Sequence, residues 1–289
     1  MHHGSQLKKF LIFALLPLAI FAAVLIYPFA QGLYLTFTNW DGFHHDKFVG
    51  FANYAKSFKD PEFWITLKFT FKYVVVSIIA INAVAFGLAL LVTAKLKSSN
   101  LFRTFFFVPN LIGGVVLGVI WQFIFNTALV SISGKMGWSL FESSWLGETN
   151  TAFWALIIVT VWQSSGYMMI IYITGLISID QDVLEAARVD GASALRTLWA
   201  IKMPLMAQAF TISLFLTLRG GFMAYDVNVA LTGGGPFRTT ELISMHIFQD
   251  AFAFGNFGTG QSKAVVMFLL VALAALVQVT ISKRYEVQR

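Results

Sequence analysis

The stretch SIDQDVLEAARVDGASALRTLWAIKMP, residues 178–204, separates two apolar segments and is the natural point from which to derive the fold. Apolar side chains dominate residues 152–177 before it and residues 205–227 after it. Each segment reaches the length of about 20 residues that a helix needs to cross a bilayer. The sequence therefore predicts two transmembrane helices joined by a polar loop on one side of the membrane.

The polar loop itself carries helix start and stop signals. Asp182 and Glu185 have the spacing of a capping box, so we expect a short helix to begin here. Gly191 suits a left-handed helix end, and Ser193 can cap a second short helix. Pro204 is expected in the first turn of the next span. From these residues alone, a capped connector and a docking element for a partner protein remain equally open.

The rest of the chain has the same apolar character, since 57% of its 289 residues are hydrophobic and only 12% are charged. This composition excludes a disordered chain and disfavours a soluble domain. We predict an all-α polytopic membrane protein with six transmembrane helices, forming a single domain over residues 1–289. The predicted spans are about 11–37, 69–93, 104–125, 152–177, 205–227 and 264–281.

The distribution of Lys and Arg predicts the orientation of these spans. Six spans place both termini on one side, together with 95–103 and 178–203, and these segments hold 11 basic residues. The longer loops on the opposite side, at 38–63, 127–150 and 228–262, hold 5. Cytoplasmic loops carry the excess of positive charge. Both termini and the loop after residue 177 are therefore predicted to be cytoplasmic.

Several kinds of chemistry are excluded by the residues that are missing. The chain has no cysteine, no phosphate-binding P-loop and no HExxH zinc motif. His44, His45 and His246 fall in predicted outer loops, where we expect them to be solvated. No carboxylate lies in the middle of a predicted span, which disfavours a proton relay. Arg219 is the one cation deep in a span, and it suits either a substrate contact or a polar partner within the helix bundle.

The polar loop resembles a known motif. Glu185-Ala186-Ala187, then Gly191, then Ile201-Lys202-Met203-Pro204 is similar to the EAA loop, EAA-x3-G-x9-I-x-L-P, of binding-protein-dependent ABC import permeases. Met203 replaces the usual Leu, which is a nearly isosteric exchange. The resemblance implies that these coupling residues bind an ATPase subunit: Glu185, Ala186, Ala187, Gly191, Ile201 and Pro204.

A second stretch resembles the carbohydrate-uptake class of these permeases. Residues 225–236, YDVNVALTGGGP, are similar to its signature F-D-x(4)-L-T-x-G-G-P, with Tyr225 in place of Phe. Arg103, Phe106 and Pro109 also have a spacing typical of this class, and the resemblance covers about residues 10–285. It implies a multi-pass subunit of a bacterial or archaeal cytoplasmic membrane that binds no cofactor. The implied partners are a homologous second permease, two ATPase subunits that bind ATP and Mg, and an external sugar-binding protein.

A sugar pathway should carry amide, hydroxyl and aromatic groups at mid-depth. Gln163 is the strongest candidate, because an amide that faces lipid is costly. Gly221, like Gly113 and Gly114, fits close helix packing better. The candidate pathway residues are Asn110, Thr160, Gln163, Ser164, Tyr167, Thr217, Gly221 and Tyr225.

The sequence thus favours a non-enzymatic permease subunit of an ATP-driven carbohydrate importer, with an oligosaccharide as the expected substrate. The alternative is a sugar facilitator or secondary carrier that needs no ATPase. An inverted repeat would favour that alternative, and the sequence shows none. A membrane enzyme lacks any nucleophile–base pair or metal-ligand group in the sequence.

Overall fold

The computed structural model describes residues 2–45, 47–94, 98–284 and 286. Three basic residues that count toward the predicted orientation, Lys95, Lys97 and Arg289, lie outside them. The described chain is helical apart from turns, loops and one isolated bridge. The helices are α1 (Phe10–Leu35, the apolar part of a helix that begins at His2), α2 (Ala52–Lys59), α3 (Pro61–Thr93), α4 (Ser99–Phe107), α5 (Gly114–Met136), α6 (Thr149–Ile177), α7 (Gln181–Val189), α8 (Ala194–Leu205), α9 (Ala207–Phe222), α10 (Asp226–Leu231), α11 (Ile243–Phe248) and α12 (Phe257–Lys283).

Five of these helices are long and apolar enough to cross a membrane: α1, α3, α5, α6 and α12. The bent pair α8 and α9 gives a sixth candidate, with an angle of 71° between its two parts. The predicted all-α fold with several membrane spans is confirmed. The chain forms two compact units, Met1–Phe63 with Ile247–Met267 and Trp64–His246 with Phe268–Arg289. A single domain over the whole chain stays a prediction.

The third span differs from its predicted position at 104–125. Helix α4 ends at Phe107, and a 3₁₀ turn over Val108–Leu111 leads to Gly113, whose backbone is extended. The membrane-length helix α5 starts only at Gly114. Pro109 causes the break, because it has no N–H to donate to the preceding turn.

The fifth span is bent close to its predicted start at 205. Pro204 lies in the last turn of α8 instead of the first turn of the span. Met206 leaves the helical conformation, with φ −105° and ψ 17°, and α9 begins at Ala207. Pro204 removes one backbone hydrogen bond to the turn before it, and the bend itself follows at Met206.

The larger unit is held together by close helix contacts and a buried polar network. The oxygen of the Asn82 carboxamide in α3 accepts hydrogen bonds from the Tyr172 hydroxyl in α6 and the Ser213 hydroxyl in α9, both at 2.6 Å. The amide nitrogen of Asn82 donates to the Thr217 hydroxyl at 3.1 Å. A satisfied network of this kind fixes the helices in one arrangement. Helices α3, α6 and α9 are thereby tied together at one depth.

The smaller unit contains a buried ion cluster. The Lys263 ammonium, only 2% exposed, lies 2.6 Å from the Asp60 carboxylate and 2.8 Å from the Asp250 carboxylate. Nearby, the Ser57 and Ser262 hydroxyls share a hydrogen bond of 2.6 Å. Since a buried cation needs carboxylate partners, these contacts fix the start of α12 against the segment that precedes α3.

Candidate functional site

A cavity of about 310 Å³ lies within the larger unit, between α3, α6, α9 and the start of α10. Six of the predicted pathway residues line it, and they come from two different helices and the turn that follows α9. These residues are Thr160, Gln163, Ser164, Thr217, Gly221 and Tyr225. Hydroxyl, amide and aromatic groups therefore meet at one place, as a site for a polyhydroxylated ligand requires.

Two predicted pathway residues do not line this cavity. Asn110 lies in the 3₁₀ turn between α4 and α5. Tyr167 is 40% exposed on the outer surface of α6. Tyr167 lies four residues after Gln163 and therefore on the same face of α6. Of the polar residues on that face, only the earlier ones, Thr160, Gln163 and Ser164, line the cavity. Arg219 of α9 is exposed and also lies outside the lining.

Hydrogen bonds fix the polar wall of the cavity. The Tyr73 hydroxyl in α3 and the Thr160 hydroxyl in α6 lie 2.8 Å apart. The Gln163 amide nitrogen donates to the Ile112 carbonyl oxygen at 3.2 Å, in the break before α5. This carbonyl is available because the helix is interrupted there. The amide of Gln163 retains further donor and acceptor capacity for a ligand.

Tyr73, Ser77 and Asp226 also line the cavity, although the sequence did not single them out for it. A signal existed in α3: Thr66, Thr70, Tyr73 and Ser77 recur at spacings of three and four residues. That periodicity places them on one face of the helix. This polar stripe is difficult to recognise in the sequence because the residues around it are apolar.

The short helix α10 is fixed against α5 through two glycines. A β-carbon on Gly114 would lie 2.7 Å from Cβ of Asp226, and one on Gly118 would lie 2.5 Å from Cβ of Ala230. No side chain larger than hydrogen fits at either position. The close packing sets the position of the Asp226 backbone at the edge of the cavity.

A buried charge cluster follows α10 along the chain. The carboxylate of Glu241, 1% exposed, accepts a hydrogen bond from Arg238 at 3.0 Å and lies 3.2 Å from Nδ1 of His246. The expectation that His246 is solvated was wrong, because it is 3% exposed. Burial raises the pKa of Glu241, but hydrogen bonds from His246 and Arg238 outweigh it, so this pKa lies below its ordinary value of 4.5.

The loop that resembles the EAA motif forms two short helices around a glycine turn. Asp180 caps α7 by accepting a hydrogen bond from the Asp182 amide, so the predicted capping box of Asp182 and Glu185 was wrong. Asp180 directly precedes Gln181, the first helical residue, so its carboxylate is placed to accept hydrogen bonds from the unpaired backbone amides of the first turn. Gly191 has φ +72°, as predicted, and Ser193 caps α8.

The end of α7 is a complete Schellman motif. The amide of Ala192 donates to the Ala187 carbonyl oxygen, and the amide of Gly191 donates to that of Arg188. Both bonds require the left-handed conformation at Gly191. The end of α7 and its turn toward α8 are thereby fixed by the backbone alone.

The six predicted coupling residues differ in exposure. Glu185, Ala186 and Gly191 are exposed, whereas Ile201 and Pro204 are partly buried and Ala187 is buried within the chain. Beside them, several large apolar side chains are exposed to solvent. These are Val183, Val189, Leu195 and Trp199, of which Val189 is 87% exposed. This mixed polar and apolar surface has the character of an interaction site.

Comparisons with known proteins match nearly the whole chain. A family model described as "Binding-protein-dependent transport system inner membrane component" matches residues 83–287. The probable starch degradation products transport system permease protein AmyD of Thermoanaerobacterium thermosulfurigenes is 43% identical, over 92% of this chain and 90% of the relative. The multiple sugar-binding transport system permease protein MsmF of Streptococcus mutans is 30% identical, over 95% of each.

A solved structure shares the fold. It is a bacterial ABC transporter involved in the import of the acidic polysaccharide alginate, with a TM-score of 0.85 and 18% sequence identity. The match covers 98% of this chain and 99% of the chain in that structure.

Proposed function

This chain belongs to the family of binding-protein-dependent transport system inner membrane components, and we propose that it is the permease subunit of an ATP-driven importer for a carbohydrate, with an oligosaccharide as substrate. Its relatives AmyD and MsmF carry names that refer to starch degradation products and to multiple sugars. Both are similar to this chain over nine tenths of its length or more. As a family member it is a transport subunit and not an enzyme.

The cavity is the observation that supports a carbohydrate as the substrate. A sugar presents hydroxyl groups that donate and accept hydrogen bonds, and C–H faces that pack on aromatic rings. The lining provides hydroxyl groups, the Gln163 amide and the rings of Tyr73 and Tyr225. At about 310 Å³ it holds one or two sugar rings rather than a whole oligosaccharide. Such a substrate would pass through it in steps, with the homologous second permease supplying the other half of the path.

Substitution of Gln163 tests this assignment. Gln163→Ala removes the amide, and we expect sugar uptake at low concentration to fall about tenfold, since a hydrogen-bonding site loses about 1–3 kcal/mol when a partner is removed. The matched control is Thr174→Ala on the same helix, whose hydroxyl bonds only to the Ile170 carbonyl of its own helix in the described contacts. The measurement is uptake into vesicles with all subunits present. Uptake that is equal in both variants and the parent would assign Gln163 to packing.

The segment from α7 to α8 is the proposed contact with the ATPase subunits. It combines the exposed Glu185 with the exposed apolar side chains of Val189 and Trp199. These exposed apolar side chains form the surface that a partner would cover. ATP and Mg are then bound by the ATPase subunits, and this chain binds no cofactor.

The arrangement in the membrane follows from the same proposal. The α7–α8 segment and both termini lie in the cytoplasm, and the segment that contains Glu241 lies on the outer face. An external sugar-binding protein delivers the substrate there. The membrane is the cytoplasmic (inner) membrane of a bacterium or archaeon. Movement of the ATPase subunits reaches the cavity through α8 and α9, because α9 carries Thr217 and Gly221 in its wall.

A further inference from the structure

The charge of the cavity is set by one side chain. Among the described residues that line it, Asp226 is the sole group that carries a formal charge, and the other polar members are hydroxyl and amide groups. Its side chain is exposed rather than buried in the helix packing. The described cavity wall of this subunit therefore contains a single carboxyl group.

The packing of α10 holds the backbone of Asp226 in place. Its own Cβ lies against the backbone of Gly114, and Ala230, one helical turn further, lies against Gly118. Because α10 packs against α5 at both Asp226 and Ala230, the helix as a whole cannot turn Asp226 away from the cavity. The Cα–Cβ bond of Asp226 is therefore held at the edge of the cavity, and its exposed carboxylate lies within reach of a ligand there.

The fold alone does not set the charge of the substrate. The alginate importer has the same fold at a TM-score of 0.85, and it is described as importing an acidic polysaccharide. The substrate charge that a member of this fold accepts must then depend on the side chains that line the path.

We infer that Asp226 selects neutral sugars over sugar acids at this cavity. A carboxylate accepts hydrogen bonds from the hydroxyl groups of a neutral sugar, and these bonds are strengthened by its charge. A uronic acid would place a second carboxylate beside Asp226, where the two like charges repel each other. The selection is thus made by repulsion of the wrong substrate as well as by attraction of the right one. This inference rests on the proposed function of the cavity.

The test measures binding of two probes that share one trisaccharide backbone and differ at the primary alcohols, which are neutral in one probe and carboxylates in the other. The full complex of this chain, its partner permease and its ATPase subunits is placed in lipid nanodiscs without binding protein, so that the permease alone discriminates. Maltotriose is compared with the same trisaccharide oxidised to carboxylates at its primary alcohols, by calorimetric titration. We expect the parent to bind maltotriose at least about tenfold more tightly. Asp226→Asn keeps the shape and should reduce that ratio by about tenfold, chiefly through tighter binding of the acid.

Two further variants separate the possible outcomes. Glu142→Gln removes an exposed carboxylate outside the cavity and should leave the ratio unchanged. Gln163→Ala should weaken binding of both probes and keep their ratio. If maltotriose binds and Asp226→Asn does not change the ratio, the charge selection is wrong and the sugar site stands. If the parent binds neither probe, the sugar site itself is wrong. It is also wrong if the parent binds the acid more tightly and Gln163→Ala changes the affinity for neither probe.

Discussion

Gly191 has a backbone conformation that only a few residues adopt easily. Its φ is +72°, and a β-carbon there would meet nothing within 4 Å, so any effect of substitution comes from the backbone and not from a clash. We expect Gly191→Val to strain the turn by about 1–2 kcal/mol and to reduce ATP hydrolysis stimulated by the sugar-loaded binding protein. Gly191→Asn, which tolerates this conformation, should stay close to the parent. Equal loss in both variants would show that the side chain, not the turn, disturbs coupling.

Glu241 gives the chain a stability that depends on pH. Its pKa in the folded protein is lowered by His246 and Arg238 against the effect of burial, so the ionised form is favoured by folding. The resulting stabilisation is fully present above the ordinary pKa of 4.5 and is lost as the pH falls through the lower folded value. We expect Glu241→Gln to destabilise the protein by about 1–3 kcal/mol at pH 7, because it leaves the buried His246 and the exposed Arg238 without their carboxylate. Thermal unfolding at pH 7 and pH 4 should then differ less in the variant than in the parent.

At the scale of elements, the contact between α4 and α6 depends on one glycine. A β-carbon on Gly166 would overlap the carbonyl oxygen of Phe106, which is backbone and cannot move aside. Gly166→Ala should therefore lower the stability of the assembled protein by about 1–3 kcal/mol. Gly87→Ala in α3 is the matched control, because its β-carbon meets nothing within 4 Å, and it should be neutral or stabilising. Melting temperatures in detergent compare the two, and equal values would exclude the close contact.

The α7–α8 segment makes a different prediction, because its apolar side chains face away from the chain. Val189 is 87% exposed, so Val189→Ser should hardly change the stability of the permease. It should weaken binding of the ATPase subunits several-fold, since apolar surface buried in the interface is lost. Leu140→Ser, at a position 66% exposed in a predicted outer loop, is the control. Co-purification of ATPase subunits measures the effect, and full retention in Val189→Ser would remove this surface from the interface.

Most helices were predictable because each signal lies within the helix itself. The spans predicted at 69–93, 152–177 and 264–281 lie within α3, α6 and α12. The interruptions were not predicted, although Pro109 and Pro204 stand beside them. A proline inside an apolar run is compatible with a kinked span, a short turn or a helix start, and tertiary contacts decide among these.

At the scale of the whole molecule, the contacts that the sequence could not predict join residues far apart in the chain. Lys263 pairs with Asp60 about 200 residues away, and no local pattern marks either as a partner of the other. His246 was expected in solvent because its neighbourhood is a loop in sequence, and the fold buries it beside Glu241. The cavity was predicted in part, since six of the eight candidate pathway residues line it. Polar residues within apolar spans could be recognised from the sequence. Which part of a helix face turns toward the cavity depends on the neighbouring helices, and the sequence does not show it.

The orientation of the molecule can be measured directly by cysteine labelling, because the sequence contains no native cysteine. Ala194→Cys introduces an exposed thiol in the α7–α8 segment without removing the Ser193 cap, and Ser143→Cys introduces one in the predicted outer loop 127–150. If the excess of Lys and Arg marks the cytoplasmic side, a membrane-impermeant maleimide added to intact cells should label Ser143→Cys and not Ala194→Cys. Permeabilised cells should show labelling of both, which controls for access. The reverse pattern would place the α7–α8 segment outside the cell, where no ATPase subunit could reach it, and the coupling proposal would fail with the orientation.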